Sequence, residues 1–274
     1  MATVADRISF KEPGPDALSG TPRAHALDRW IFVAMAAWFI AIVLVGFIPD
    51  AIMKVDMVRA GTRPPFPPVL HVHAVVMGAF LLTLLAQTWM MATGRRALHM
   101  QIGIFGMALA VALVIVGFVL APSMYYQTWN GLQIAPAAAR EQLQELLSVK
   151  ENILLLQLGA GLLFAVFIAI AVSARKDNPG LHKRMMILGT AVPLAASIDR
   201  MEWLPSSFPA SPWTTDLYIL AAVSPMFVWD VVRNKRVHEA YWIWLSIYVP
   251  VVLIIDLLWN TPWWHATARA IMRV

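Results

Sequence analysis

The stretch GRRALHMQIGIFGMALAVALVIVGFVLA, residues 94–121, decides the fold of this chain. Two arginines and a histidine stand among its first six residues, and the 21 residues from Gln101 to Ala121 carry no charge. A helix needs about 20 predominantly apolar residues to cross the hydrocarbon core of a bilayer. The stretch therefore predicts a membrane-spanning helix that follows a short basic loop.

The composition of the whole chain extends this prediction. Of its 274 residues, 59% are hydrophobic and 14% are charged, whereas soluble globular proteins carry about 25% charged residues. We therefore predict an integral membrane protein surrounded by membrane lipids. Because the basic residues behind the net charge of +5 cluster beside the apolar runs, we expect no nucleic-acid partner. Cysteine is absent, so a metal or haem would need histidine, methionine, carboxylate or carbonyl ligands.

Seven apolar runs have the length of membrane spans, which predicts an all-α, seven-transmembrane helix bundle. The predicted spans cover about residues 30–49, 69–91, 101–121, 152–173, 185–204, 213–232 and 241–259. Residues 1–29 are polar and interrupted by proline and glycine, and we expect a disordered tail there. Between the third and fourth spans, residues 135–152 carry leucines at helical spacing. This segment predicts a short helix on the outer surface, or a lid.

Three short basic loops set the expected orientation. GRRALH (94–99), ARKDNPGLHKR (174–184) and RNKRVH (233–238) follow the second, fourth and sixth spans, so all three lie on one side. Cytoplasmic loops carry the excess of lysine and arginine in membrane proteins. We therefore expect a cytoplasmic N-terminus and a periplasmic C-terminus, in the inner membrane of a bacterium.

A second stretch, SIDRMEW (197–203), brings charges to the outer end of the fifth span. Residues 185–198 would extend only about 21 Å as a helix, so we expect the helix to continue through these charges to Leu204. Ionisable side chains at membrane depth are rare and usually face the bundle interior. The predicted outer layer comprises His71, His73, Glu151, Asp199, Arg200, Glu202, Asp216 and Asp256.

This outer layer supports two interpretations. As a functional site it is a polar pocket that can bind a divalent metal or move protons. The candidate metal ligands are His71, His73, Asp199 and Glu202, and the rest of the polar cluster is Arg200, Asp216 and Asp256. As a structural feature it is a set of ion pairs near the headgroups, in which Arg200 pairs with Asp216 or Asp256. His71 and His73 would point about 200° apart on a helix, so both face one site only if the chain there is extended.

The inner ends of the third and fifth spans share a pattern. In each, Leu-His is followed by a glycine seven residues after the histidine, as in His99 with Gly106 and His182 with Gly189. Spans two and three and spans four and five therefore look like a duplicated helical hairpin. If the hairpins pack as a four-helix unit, the two histidines approach each other and can hold a b-type haem. Basic residues that could meet its propionates are Arg95, Arg96, Arg175, Lys183 and Arg184. The alternative is that Leu-His anchors each helix start at the headgroups.

Over about residues 69–200 this arrangement resembles the transmembrane di-haem b-type cytochromes. The resemblance implies that His99 and His182 form one ligand pair and that His73 belongs to a second pair. The position expected for the fourth ligand holds Leu156 beside Gln157. The layout GAF…Q…GRRALH…G also resembles uncharacterised bacterial multi-pass membrane proteins over most of the chain, and this resemblance implies no known activity.

Three hypotheses for the function follow, and whether the chain is an enzyme stays open. The first is a redox or assembly protein that binds a b-type haem through His99 and His182. The second is a membrane-embedded, metal-dependent enzyme or small-molecule binder that uses an outward-facing pocket. The third is an accessory subunit that associates with other membrane protein subunits and performs no chemistry.

Overall fold

The computed structural model describes residues 25–274, so the first 24 residues of the predicted polar tail lie outside it. All regular structure in the described range is helical. The helices are α1 (Ala26–Arg59), α2 (Pro68–Ala92), α3 (Arg96–Gln133), α4 (Ala137–Ser173), α5 (Pro179–Ala191), α6 (Ala195–Ile198), α7 (Trp213–Asn234), α8 (Glu239–Leu258) and α9 (Pro262–Met272), with a 3-10 turn at Val192–Leu194 between α5 and α6.

The first four helices pack as an up-and-down meander. α1 packs on α2, α2 on α3, α3 on α4, and α4 on α5. We call the end where α1 and α3 finish and α2 and α4 begin the outer end, and the opposite end the inner end. Asp28 at the start of α1 bonds Arg233 near the end of α7, which places the connection between α7 and α8 at the inner end.

Six described helices are long and apolar enough to cross a membrane: α1, α2, α3, α4, α7 and α8. The chain is therefore a helical protein with the character of a membrane protein. The predicted count of seven spans and the orientation of the termini are not confirmed by helix length. The remaining predicted span corresponds to the broken segment Pro179–Ile198, in which Pro193 belongs to the 3-10 turn that separates α5 from α6.

The prediction that the fifth span runs from about residue 185 to Leu204 is wrong at both ends. α5 begins at Pro179 because the Asn178 side chain accepts a hydrogen bond from the Leu181 backbone N–H and a proline occupies the first turn, where it suits a helix start. From there 20 residues reach Ile198, so the charged residues are not needed to complete the length. The SIDRMEW charges therefore lie in the loop after α6, and Asp199 and Glu202 share no helix face.

The predicted short helix at residues 135–152 is also wrong as a separate element. It forms the first part of α4, a single helix of 37 residues. Pro136 starts it, and the alanine, glutamate, glutamine and leucine residues that follow are strong helix formers with no proline among them. α1 and α3 contain 34 and 38 residues, about 51 and 57 Å long. All three helices therefore exceed a hydrocarbon core of about 30 Å.

α5 is largely buried. Met185, Ile187 and Leu188 are fully buried in the main core. Side chains of α1, α4, α7 and α8 surround them. A Cβ at Gly189 would lie 2.9 Å from the Phe167 side chain, so glycine allows α5 to approach α4 closely. The broken segment is thus enclosed by the longer helices.

α9 was not predicted from the sequence. Its N-cap is Thr261, whose side chain accepts a hydrogen bond from the Trp264 backbone N–H. Trp264, Ala268 and Met272 recur every four residues and are buried, and the helix packs on α4. Trp263 on the other face is 62% exposed. α9 therefore closes the outer end as an amphipathic helix.

Candidate functional site

The inner end brings together the two histidines of the Leu-His pattern. His99 lies in the first turn of α3 and His182 in the first turn of α5. Their ring centroids are 6.5 Å apart and their planes meet at 76°. The predicted approach of these two residues from separate helices is therefore confirmed.

His182 is held in one orientation by the neighbouring helix. Its Nδ1 lies 2.8 Å from the carbonyl oxygen of Ala171 on α4. Because a carbonyl can only accept, this contact assigns the proton to Nδ1. The Nε2 atom of His182 is then an acceptor with a lone pair available for a metal or a proton.

The histidine pair includes and adjoins buried polar atoms that have no hydrogen-bond partner among the described residues. Nδ1 of His99 and both amide atoms of Gln87 are buried and have no hydrogen-bond partner among the described residues. Gln87 extends from α2 towards α3, since its Nε2 lies 4.0 Å from the position of a Cβ on Gly103. More than about 90% of buried polar groups in proteins are hydrogen-bonded. Three helices therefore present polar groups that a further molecule could satisfy.

Gln87 was not among the predicted site residues. The signal was a single amide in the apolar run of the second span, where polar side chains usually face the bundle interior. The sequence alone could not show that it faces α3, because the rotation of α2 depends on packing against its neighbours.

The basic residues predicted to meet haem propionates have different surroundings in the structure. Arg184 is fully buried and bonds both carboxylate oxygens of Asp230 on α7, at 2.5 and 2.7 Å. The proposed role of Arg184 at the propionates is therefore wrong, because its guanidinium already joins α5 to α7. Lys183 lies over the Phe32 ring, 5.1 Å from its centroid. Arg95 and Arg96 are exposed at the start of α3.

The predicted outer cluster separates into several smaller contacts. Asp199 accepts a hydrogen bond from Thr215. Asp216 accepts one from the Tyr248 hydroxyl at 2.7 Å. Asp256 accepts one from Ser211 at 2.7 Å. These carboxylates therefore have separate hydrogen-bond donors.

The predicted pairing of Arg200 with Asp216 or Asp256 is wrong. Its Nε lies 3.1 Å from Asp50 on α1. α1 reaches this position because Gly46, one helical turn before Asp50, allows the backbone of α6 to approach, and any Cβ at Gly46 would overlap the Ser197 carbonyl. The close contact of α1 with α6 decides the partner of Arg200.

Asp199 and Glu202 border a small cavity at the outer end. Its volume is about 80 Å³, and it is lined by Ile198, Asp199, Met201, Glu202, Leu204, Ser206, Thr215 and Tyr218. Burial of the carboxyl group raises the pKa of Asp199, although part of its side chain is exposed, and the hydrogen bond from Thr215 opposes this shift. The cavity is too small for a drug-sized ligand, which needs roughly 300 Å³ or more.

The four predicted metal ligands are not gathered into one site. Among residues 25–274 no group of three or more histidine or carboxylate side chains is placed to hold a metal ion. His71 is exposed beside the Phe66 ring, with the centroids 6.1 Å apart. Nδ1 of His73 is buried and has no hydrogen-bond partner in the described part of the chain. Both residues are helical in α2, so their side chains diverge.

Glu151, which the sequence places in the outer layer, forms a second buried cluster with two residues of α9, His265 and Arg269, that the sequence does not predict. This fully buried carboxylate bonds Nδ1 of His265 at 2.6 Å and Nε of Arg269 at 2.7 Å, and its backbone carbonyl accepts from the Trp264 indole at 2.8 Å. The cluster fastens α9 to α4. The amphipathic pattern after Pro262 was the available signal, but the sequence does not show which helix α9 covers.

The composition and the six long apolar helices define a helical membrane protein. No family model, no curated protein and no solved structure matches the chain.

Proposed function

We propose that this chain is a b-type haem protein of the bacterial inner membrane in which His99 and His182 would hold the haem iron. The observation that carries the proposal is the distance of 6.5 Å between the two ring centroids. The two residues lie at the end of the bundle that carries the basic loops, which is the predicted cytoplasmic side.

The ring distance would allow both histidines to hold one iron atom. A metal–nitrogen bond of about 2 Å plus roughly 1 Å from the nitrogen to the ring centre gives about 6 Å between two opposed imidazole centroids. The contact of His182 with the Ala171 carbonyl leaves Nε2 as the ligating atom. Metal-bound histidines commonly donate their other ring N–H to such an acceptor.

The number of ligands favours a haem over a bare ion. A bare zinc ion usually takes at least three protein ligands, and the described residues offer no group of three. A porphyrin supplies four nitrogen ligands itself, so two histidines complete the coordination. A haem bound there would supply one-electron transfer chemistry.

The surrounding residues have separate tasks in this proposal. Ala171 orients His182 through its carbonyl. Gln87 presents a buried amide that has no hydrogen-bond partner among residues 25–274, suited to bond the cofactor or an ordered water. Arg95 and Arg96 are exposed at the start of α3 and are the remaining candidates to meet propionates at the headgroup level.

The test is the absorption spectrum of the full chain purified from cells supplied with haem. We expect a Soret band that shifts on reduction, and we expect His99→Ala and His182→Ala each to abolish the low-spin bis-histidine spectrum. His71→Ala is the matched control, because this exposed histidine lies at the outer end. Folded wild-type protein without a Soret band, or a spectrum insensitive to both alanine variants, would refute the proposal.

A second candidate function is recognition of a small polar molecule in the outer cavity. Asp199 and Glu202 line its volume of about 80 Å³, which holds only a few water-sized groups. Such a site could serve the predicted metal-dependent enzyme or small-molecule binder. Saturation-transfer NMR with small cationic amines, comparing wild type with Asp199→Asn, would test it; equal signals from both proteins would count against it.

A further inference from the structure

We propose that α9 contacts the lipid bilayer at the outer end, at the boundary between headgroups and acyl chains. It does so through an exposed apolar face, which consists of Trp263, Ala266, Ala270 and Ile271. The partner that covers this face is the lipid of the outer leaflet. This inference does not depend on whether the inner histidines bind a haem.

The helical period of α9 separates its side chains into three groups. Successive residues of a helix turn by about 100°. Trp264, Ala268 and Met272 therefore share one side, and they are buried against the bundle. His265 and Arg269 share a second side and bond the buried carboxylate on α4. The apolar face occupies the remaining side, where it has neither the core nor the carboxylate as a partner.

The two large side chains of the apolar face have the chemistry of a membrane contact. Trp263 and Ile271 each leave more than half of their surface exposed. Transfer of such apolar surface from water into an apolar environment is favourable. Tryptophan is enriched where a bilayer meets water, because its ring is apolar and its indole N–H is polar. Lipid therefore suits this face better than water does.

The exposed apolar surface of α8 leads along the chain to this face. α8 is one of the long apolar helices, and it ends at Leu258 at the outer end. Leu253, Ile254 and Leu257 are exposed in its last turns. Only residues 259–261 separate α8 from α9. α9 therefore begins close to the level at which α8 leaves the hydrocarbon.

Two further tryptophans at the outer end are also exposed. Trp213 is the first residue of α7, which begins at this end, and Trp203 lies in the loop between α6 and α7. Exposed tryptophans gathered at one end of a membrane bundle are typical of an interfacial aromatic belt. Trp263 on α9 extends this belt.

A protein partner fits the apolar face less well than lipid does. A helix of 11 residues is about 16 Å long and about 10 Å wide. One face of such a helix falls well short of the roughly 800 Å² that each partner buries in a stable protein interface. Lipid needs no minimum contact area, because a bilayer that surrounds α8 already reaches the start of α9.

The test measures how deep the apolar face lies in a bilayer. The chain has no cysteine, so one introduced cysteine carries one nitroxide label. Ala266→Cys and Ala270→Cys place the label on the apolar face and keep its two large side chains. The full chain is reconstituted in vesicles of phosphatidylethanolamine and phosphatidylglycerol. Electron paramagnetic resonance then compares collisions of the label with oxygen, which dissolves in lipid, and with a nickel chelate, which stays in water.

Two matched variants calibrate the measurement. Leu257→Cys places the label on the exposed surface of α8, and Glu141→Cys places it on the exposed first part of α4. We expect both α9 labels to lie about 5–10 Å into the boundary between headgroups and acyl chains, as in other interfacial amphipathic helices. The label on α8 should show the same preference for oxygen, and the label on α4 should collide mainly with the nickel chelate.

Two results of the labelling experiment would overturn the proposal. A label at either α9 position that collides with the nickel chelate as readily as the label of Glu141→Cys would place the apolar face in water. Labels that neither reagent reaches would show that protein, such as a second copy of the chain, covers the face.

A second measurement needs no label and therefore does not depend on the folding of the cysteine variants. Phospholipids brominated in their acyl chains quench the fluorescence of tryptophans that contact them. Trp263→Phe should lower the quenched part of the fluorescence, because it removes a tryptophan from the interface and keeps an apolar ring. Quenching equal to that of the wild type would contradict the contact of Trp263 with lipid.

Discussion

The ion pair between Arg184 and Asp230 joins the enclosed helix α5 to α7 and offers a direct test of the packing. Both side chains have no exposed surface, and the guanidinium bonds both carboxylate oxygens at 2.5 and 2.7 Å. Asp230→Ala would leave the buried guanidinium without its carboxylate. Removing one partner of a buried pair destabilises a protein by about 3–5 kcal/mol. We therefore expect this variant to lose a large part of its stability.

The assay is reversible denaturation in detergent, followed by tryptophan fluorescence. The matched control is Asp56→Ala, which breaks the pair with Arg59 at 3.4 Å, where the side chains are 65% and 77% exposed. Exposed pairs contribute at most about 1 kcal/mol. If the two variants lost equal amounts of unfolding free energy, the Arg184 pair would not be buried. That result would refute the enclosure of α5 between α7 and the other helices.

Three further perturbations test other parts of the structure. Gly46→Val should lower the free energy of unfolding by about 1–3 kcal/mol, because the side chain would overlap α6. Gly117→Val has open space around its Cβ position and should have little effect on the denaturation midpoint. Glu151→Gln should accelerate hydrogen exchange in α9 about tenfold, because the charged hydrogen bonds between the Glu151 carboxylate and α9 are lost. The control is Glu141→Gln, and equal protection of α9 in the two variants would contradict this prediction. Burial raises the pKa of Asp199, so its contribution to stability is present at low pH and declines as pH rises through that pKa. Asp199→Asn should remove this decline, and parallel melting-temperature profiles between pH 4 and 8 would contradict it.

The spacing of residues in the sequence predicts part of the geometry of the inner histidine pair. The Leu-His repeat and the basic loops placed His99 and His182 at the starts of two helices on one side of the bundle. That was enough to expect their approach. The direction of each ring was not available, because it depends on the Ala171 carbonyl and on the rotation of α2 that carries Gln87.

The outer end shows where sequence reasoning failed. The charges of SIDRMEW were expected to extend a helix, but a start at Pro179 removes the need for them. The sequence predicts that Arg200 pairs with Asp216 or Asp256, yet its partner Asp50 is 150 residues away in the sequence. No local pattern encodes that pairing.

The sequence by itself determined that this chain forms long apolar helices joined by basic inner loops, because hydrophobic length and charge placement are local properties. Only the tertiary structure decided which charged groups meet. Partner choice depends on helix rotation and on close backbone approaches such as Gly46 against α6. These depend on the packing of the whole bundle, so the buried Arg184 pair, the Glu151 cluster and the pairing of Arg200 with Asp50 emerged only from the assembled helices.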